Sequence, residues 1–405
     1  MQHEPVVEVA PSFPALDTLR ALGALAVLTT HVTFQSGAYL QHGVWGFLFS
    51  RLDVGVAIFF VLSGFLLSRP HLARAALGRP GPATGRYYWK RFLRIYPVYV
   101  VTVVIALGLI DENADAGVRE WIRTLLLADV YTQPTFPQGL TQMWSLAAEV
   151  AFYALLPLLM VAAVGRRPQA LAPRRVVVLL AVLTALCVWW HLQLGQAVAD
   201  VSPGLPMSWL PSYLTWFAVG IGLALLQVRH EAGGPPSGPL RLARALGSSP
   251  GASWAMIGGL MLLAATPLAG PALLFAATPA ESLFKNVVYA AVGALMVGAT
   301  VFAPATGTYA RVLSAPALRH LGHISYSTFC IHLPILYMVM AVGDFELFGG
   351  HGFEIWTATL VLSLAASELL YRMVEKPAHR LRSVRPRWRR RSTHPNGSKH
   401  AATTR

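Results

Sequence analysis

Arg20 and His31 stand eleven residues apart in the run LDTLRALGALAVLTTHVTF, whose other side chains are mostly apolar. An α-helix turns by about 100° per residue, so eleven residues return both side chains to one face, roughly 16 Å apart along the axis. An ionisable group inside lipid costs about 2.5 kcal/mol or more even on conservative scales, so each is a candidate for function. A permanent cation near one end of the run, with a titratable imidazole deeper in, matches a site for an anionic donor served by a general base. The plainer reading has Arg20 snorkelling to the interface and His31 buried as a hydrogen-bonded side chain.

Other segments add groups of the same kind. In YYWKRFLRIYPVY, Lys90, Arg91 and Arg94 place three cations beside Trp89 and Tyr96. Arg91 and Arg94, spaced i,i+3, could grip the phosphates of a nucleotide-containing donor. As an ordinary basic flank of a span they would need no ligand. Pro97 in this stretch suits a helix start. MWSLAAEVAFYALLP carries Trp144 and Ser145, read as markers of the outer interface, and Glu149 about two turns into the membrane. Glu149 there needs a proton or a cation; it could orient a catalytic histidine or lock the bundle by pairing with Arg20. His323, Ser325, Tyr326 and His332 fall in HISYSTFCIHLPI, where His332 precedes Pro334 and can face the same cavity. SELLYRMVEKPAHR puts Glu368 inside a span and ends that span at Glu375-Lys376-Pro377. Ser63-Gly64, in mid-span within DVGVAIFFVLSGFLLS, reads as a close-packing site rather than a nucleophile, since no G-x-S-x-G elbow surrounds it.

The elements that must position these groups are membrane helices. Apolar residues make up 55% of the 405 and charged residues 12%, about half the share usual in soluble domains. Runs long enough to cross a bilayer fall at 15–37, 52–68, 95–110, 143–164, 175–195, 209–228, 252–270, 285–303, 323–343 and 353–373. The fold predicted is all-α: a polytopic transmembrane helical bundle with about ten spans. Cys187 and Cys330 both lie in apolar runs and form neither a disulfide framework nor a zinc site. The N-terminus has no basic n-region, so the first run is predicted to remain as a span.

The net charge of +14 is distributed as topology requires, not as nucleic-acid binding would require. Arg69, Arg74, Arg79, Arg86, Lys90, Arg91, Arg94, Arg166, Arg167, Arg174, Arg175, Arg229, Arg241, Arg244, Arg311 and Arg319 fall between spans on one side, with the basic tail after Arg372. The opposite side holds Arg51, Arg119, Arg123 and Lys285, together with Asp111, Glu112, Asp115, Asp200, Glu281, Asp344 and Glu346. By the positive-inside rule both termini are predicted to be cytoplasmic. Residues 1–14 then form a cytoplasmic segment, 15–382 the membrane domain and 383–405 a disordered basic tail, where Asn396-Gly397-Ser398 could not be glycosylated. Residues 231–239 read as a flexible linker, and Trp121–Ala128 as a short amphipathic piece at the outer interface.

Six pieces in order, LDTLRALGALAVLTTHV, FFVLSGFLL, KRFLRIYPVY, WSLAAEVAFY, SYSTFCIHLPI and YRMVEKPAHR, resemble the acyltransferase 3 family of integral membrane O-acyltransferases over nearly the whole chain. The resemblance implies transfer of an acyl group, commonly acetyl from acyl-CoA, to a hydroxyl of a carbohydrate or related acceptor. It implies that Arg20 and His31 are essential, that Arg91 and Arg94 match the family's basic stretch, and that Trp144, Ser145 and Glu149 match its tryptophan–serine–glutamate stretch. Some relatives carry a C-terminal extracytoplasmic hydrolase-like domain; this chain is predicted to be the stand-alone form, as are members that acylate macrolides. The expected site therefore has His31, Arg20 and Glu149 as catalytic groups, Arg91 and Arg94 on the acyl-CoA donor, and Trp144, Ser145 and His332 on the acceptor, with no metal. It is expected in a cavity lined by the first, third and fourth helices, with a small-molecule or glycan acceptor and membrane lipids as partners and no nucleic acid. The rival readings are a transporter of an anionic or polar solute built on Arg20, His31 and Glu149, and a non-catalytic membrane scaffold.

Overall fold

Ten long helices account for the apolar runs in a computed structural model that describes residue 7 and residues 12–166, 168, 170–235, 237–271 and 277–381. They are α1 Ala15–Gln35, α2 Val54–Ala76, α3 Thr84–Leu109, α4 Met143–Val164, α5 Pro173–Trp189, α6 Leu214–Glu231, α7 Pro250–Ala264, α8 Pro279–Val301, α9 Pro316–Val342 and α10 Gly352–Leu370. Among the described residues all regular structure is helical, as a lipid-embedded chain requires when each backbone polar group must be satisfied within its own segment. Eight of the helical segments are long and apolar enough to cross a membrane unaided. The ten are completed by α1, which carries Arg20 and His31, and by α7, which is 15 residues long. The tail 383–405, the sequon at Asn396, Arg167 and most of residues 1–14 lie outside the described residues.

Several expected boundaries move, and three of the shifts bear on charged side chains. The second and third spans are longer than their apolar cores, because α2 runs on through Pro70 to Ala76 and α3 begins at Thr84. Arg91 and Arg94 therefore sit on a helix face rather than in a loop, and Pro97 lies inside α3 instead of starting it. Membrane helices tolerate interior proline because neighbouring groups satisfy the freed backbone. Likewise the last span does not stop at Glu375: α10 passes through a π-helical turn, Tyr371–Glu375, into a further turn, Lys376–Arg380. That turn rotates Glu375 into the bundle, where it is buried, whereas Glu368 stays partly exposed beside His320 and Arg372. The basic connection after α6 contains a helix of its own, Gly238–Ser248, and the outer amphipathic piece spans Val118–Leu125.

The core is held by close helix crossings. α2 packs most extensively on α6, and α1 on α9. At the α2–α6 crossing a Cβ added to Gly64 would sit 2.4 Å from the Phe217 carbonyl oxygen, and one added to Gly220 would sit 2.1 Å from that of Val61. Only glycine permits this approach, the small-residue packing that drives helix association in lipid. Phe217 stacks between Phe60 and Phe152, with ring centroids 4.6 and 3.9 Å away, and so fixes α4 to the same pair. At the basic end, buried Arg69 of α2 donates from Nε to Gln227 (2.7 Å) and from a terminal nitrogen to Glu231 (2.5 Å) of α6.

Candidate active site

Two adjoining cavities lie within the bundle; α1 contributes Arg20 to one and Thr30 and His31 to the other. The first, about 90 Å³, is lined by Arg20, Ser63, Arg91, Arg94, Ser145, Glu149 and Tyr153, with Tyr326 and Phe329 from α9. The second, about 250 Å³, is lined by His31, Asp53, Gln142, Trp144 and Ser145, again with Phe329. Val56, Ser145 and Phe329 border both, so the two meet at those side chains. The lining comes from α2 and α9 as well as from the expected α1, α3 and α4.

The first cavity is cationic and internally braced. Arg20 pairs with Asp17 at 2.9 Å, one turn earlier on α1. Asp17 also lies 3.7 Å from Arg319 and 3.5 Å from His323, so α9 shares that carboxylate. Arg94 is paired with the buried carboxylate of Glu375 and lies over the Tyr326 ring. Arg91 makes no ion pair among the described residues; its guanidinium lies over the Tyr153 ring at 5.6 Å. Glu149 takes neither of its expected partners. Its Oε1 accepts hydrogen bonds from Ser63 Oγ and, at 2.6 Å, from Tyr153 Oη. Two hydroxyl donors supply what a carboxylate in a low-dielectric site needs.

In the second cavity His31 meets His332. His332 is fully buried, its Nδ1 3.1 and 2.8 Å from the carbonyl oxygens of Thr328 and Phe329 and its Nε2 3.1 Å from His31 Nδ1. Carbonyls only accept, so the His332 proton resides on Nδ1 and Nε2 carries a lone pair. His31 must then donate from Nδ1, which leaves His31 Nε2 unprotonated. The pair fixes the tautomer a general base requires. Trp144 and Ser145, the second and third residues of α4, border this cavity. Trp144 packs against Tyr213 in a tilted contact with centroids 4.9 Å apart, and buried Ser145 donates to the Gln142 carbonyl at 2.9 Å.

Asp53, Gln142, Tyr153 and the role of Ser63 escape a reading of the sequence. Tyr153 had a signal, since it follows Glu149 at the i+4 spacing that brings side chains together. Gln142 had none: it lies just before α4, donates from Nε2 to the Cys330 carbonyl at 2.9 Å and leaves buried Oε1 unpartnered.

Comparison with known proteins gives this geometry a context. Residues 13–372 match the family model described as an acyltransferase domain. The chain is 28% identical over 404 residues to the acyltransferase MdmB of Streptomyces mycarofaciens, covering 91% of this chain and 92% of that one. It is 25% identical to nodulation protein 10 of Rhizobium leguminosarum bv. viciae, covering 91% and 93%. It is 28% identical over 158 residues to the peptidoglycan O-acetyltransferase OatA of Listeria monocytogenes, covering 36% of this chain and 23% of that protein. No solved structure matches. With a match across nearly its whole length, the chain belongs to the acyltransferase 3 family and is a multi-pass membrane acyltransferase rather than a carrier or a scaffold.

Proposed function

We propose that this enzyme moves a short acyl group, such as acetyl, from acyl-CoA to a hydroxyl of a carbohydrate, glycan or glycosylated secondary metabolite such as a macrolide. The observation that carries the reading is the His332–His31 hydrogen bond, which leaves His31 Nε2 as a proton acceptor in a cavity adjoining a cationic one.

Arg20 and Arg91 offer guanidinium groups to the phosphates of the donor, and Arg94 adds a third whose charge Glu375 already shares. The separation of Arg20 from His31, about 16 Å along α1, suits a donor whose phosphates and thioester lie at opposite ends of an extended arm. His31 Nε2 takes the proton of the acceptor hydroxyl as its oxygen adds to the thioester carbonyl. Collapse of the tetrahedral adduct breaks the carbon–sulfur bond, and His31 returns the proton to the departing thiolate. Glu149 acts in the first cavity as a positioning group that holds Ser63 and Tyr153. Trp144, Ser145 and Gln142 border the space left for the acceptor.

With the basic connections facing the cytoplasm, the donor enters from that side and both termini are cytoplasmic. The deciding experiment incubates purified protein with radiolabelled acetyl-CoA and a panel of hydroxyl acceptors and follows label and free thiol together. Transfer that disappears in His31→Ala supports the reading. Absence of any donor cleavage by folded wild-type protein would remove it.

A further inference from the structure

Beyond the His31 cavity lies another space that the acyl-transfer step leaves unused. It measures about 120 Å³, comparable to the roughly 150 Å³ engineered cavity that admits benzene. Its wall combines Trp144 and Trp216 with Asp53, Lys285, His191 and Ser282. Asp53 and Trp144 also line the His31 cavity, so the two spaces meet there.

The polar groups of this wall are held in place. Lys285 Nζ lies 2.6 Å from Asp53 Oδ2 and 5.2 Å from the centre of the Tyr289 ring, and Tyr289 Oη donates to the other Asp53 oxygen. His191 Nε2 donates to the Ser212 carbonyl at 3.1 Å, which leaves Nδ1 to accept from the Ser282 hydroxyl at 3.2 Å. Despite these partners the Asp53 and Lys285 side chains remain 31% and 28% exposed, so both retain capacity for further bonds. Polar groups in a membrane bundle are tolerated when they pair with one another, and here the Asp53 carboxylate and Lys285 ammonium also border open space that water or a ligand can fill. The partly exposed Trp144 indole beside fixed donors and acceptors suits a polyhydroxylated ring. Its C–H face lies on an aromatic plane while neighbouring hydroxyls bridge carboxylate and ammonium.

We propose that this cavity is an acceptor subsite for a sugar ring adjacent to the ring acylated at His31, so that the acceptor contains at least two linked rings. The proposal rests on the acyl-transfer reading only for what happens at His31; the ligand chemistry comes from the cavity itself.

The test uses the full chain in lipid nanodiscs with Ser282→Cys as a reporter thiol at the wall. Native Cys187 and Cys330 are buried, so a small maleimide reads the introduced cysteine. Met207→Cys, at another lining position, serves if the first variant does not fold. Labelling is timed with N-acetylglucosamine, its β-1,4-linked disaccharide, maltose or glycerol present. The disaccharides should slow labelling several-fold more than the monosaccharide, with glycerol inert, and Lys285→Met should abolish that protection. Equal rates with every additive overturn the subsite, as does protection that survives Lys285→Met. Protection as strong from the monosaccharide as from the disaccharides overturns the two-ring acceptor. In a His31→Gln background protection should persist while transfer is lost. A failed subsite therefore shows as lost protection, and a failed acyl-transfer reading as transfer retained in His31→Gln or absent from the wild type.

Discussion

His332 Nε2 lies 3.1 Å from His31 Nδ1, and the two carbonyls behind His332 decide which ring donates. His31 is thereby oriented with Nε2 unprotonated, and in the proposed reaction His332, fully buried, acts only through it. His31→Ala should lower kcat by roughly two to four orders of magnitude with donor KM nearly unchanged. His332→Gln should cost about 10–100-fold, the range for losing a group that orients a functional histidine. Because the two act as a unit, the double variant should be little worse than His31→Ala alone. Steady-state kinetics on the three purified variants checks this, and additive losses would count against a relay.

Arg91 and Arg94 share one face of α3, yet they should respond differently to substitution. Arg94 neutralises a buried carboxylate whose other neighbours are the Ser327 hydroxyl at 3.1 Å and His379 at 3.6 Å, so Arg94→Gln should destabilise the fold, by at most about 3–5 kcal/mol. Arg94→Gln/Glu375→Gln should recover most of that loss. Arg91 has no such partner among the described residues, so Arg91→Gln should keep its melting temperature and raise KM for acetyl-CoA. Thermal melts alongside donor titrations separate the two; an unchanged KM in Arg91→Gln would make it a topological charge only.

How much of this was legible follows a physical line. The ten helices were readable because lipid imposes length and apolarity on every span, and α4 falls on the expected 143–164 without a shift. The ends were less so. Pro97 reads as a start signal and Glu375-Lys376-Pro377 as a stop signal, both calibrated on helices in water, whereas here α3 and α10 run through them with their basic ends. Arg20, His31 and Glu149 stood out because charge within an apolar run is costly. Their partners could not be read the same way. The contact of His31 with His332 spans 301 residues, and that of Glu149 with Ser63 spans 86, so only tertiary packing reveals them.

Packing itself is testable at the α2–α6 crossing. Gly64→Ala would place a methyl carbon 2.4 Å from a backbone oxygen, which side-chain motion cannot relieve. The helices must separate, at a cost of about 1–3 kcal/mol for an overpacked core. The expected result is a lower melting temperature with residual activity in the protein that folds. A wild-type melting curve would mean that α2 and α6 do not depend on glycine at this crossing.

Orientation has its own readout. If the basic connections are cytoplasmic, cysteines replacing exposed Asp115 and Asp200 should react with an impermeant reagent on intact cells. A cysteine replacing Ser248, on the basic helix Gly238–Ser248, should react only after lysis. Labelling of that position from outside would reverse the bundle and the side from which the donor enters.

Arg20 offers the sharpest separation between binding and folding. Its partner Asp17 has two further neighbours, Arg319 at 3.7 Å and His323 at 3.5 Å, so removing the guanidinium does not leave that carboxylate without a cationic neighbour. Arg20→Ala should therefore insert and melt much like wild type, since it also removes a charge that lipid disfavours. If Arg20 holds donor phosphates, the same variant should raise KM for acetyl-CoA while His31 still drives turnover at saturating donor. Arg20→Lys should recover only part of the affinity, because an ammonium lacks the planar fork that binds phosphate through two parallel bonds. The discriminating measurement is KM and kcat for the three proteins, with free phosphopantetheine as a shortened competitor. A loss confined to kcat would move Arg20 from donor capture to the reacting centre, and no loss at all would leave it a snorkelling residue anchored by Asp17.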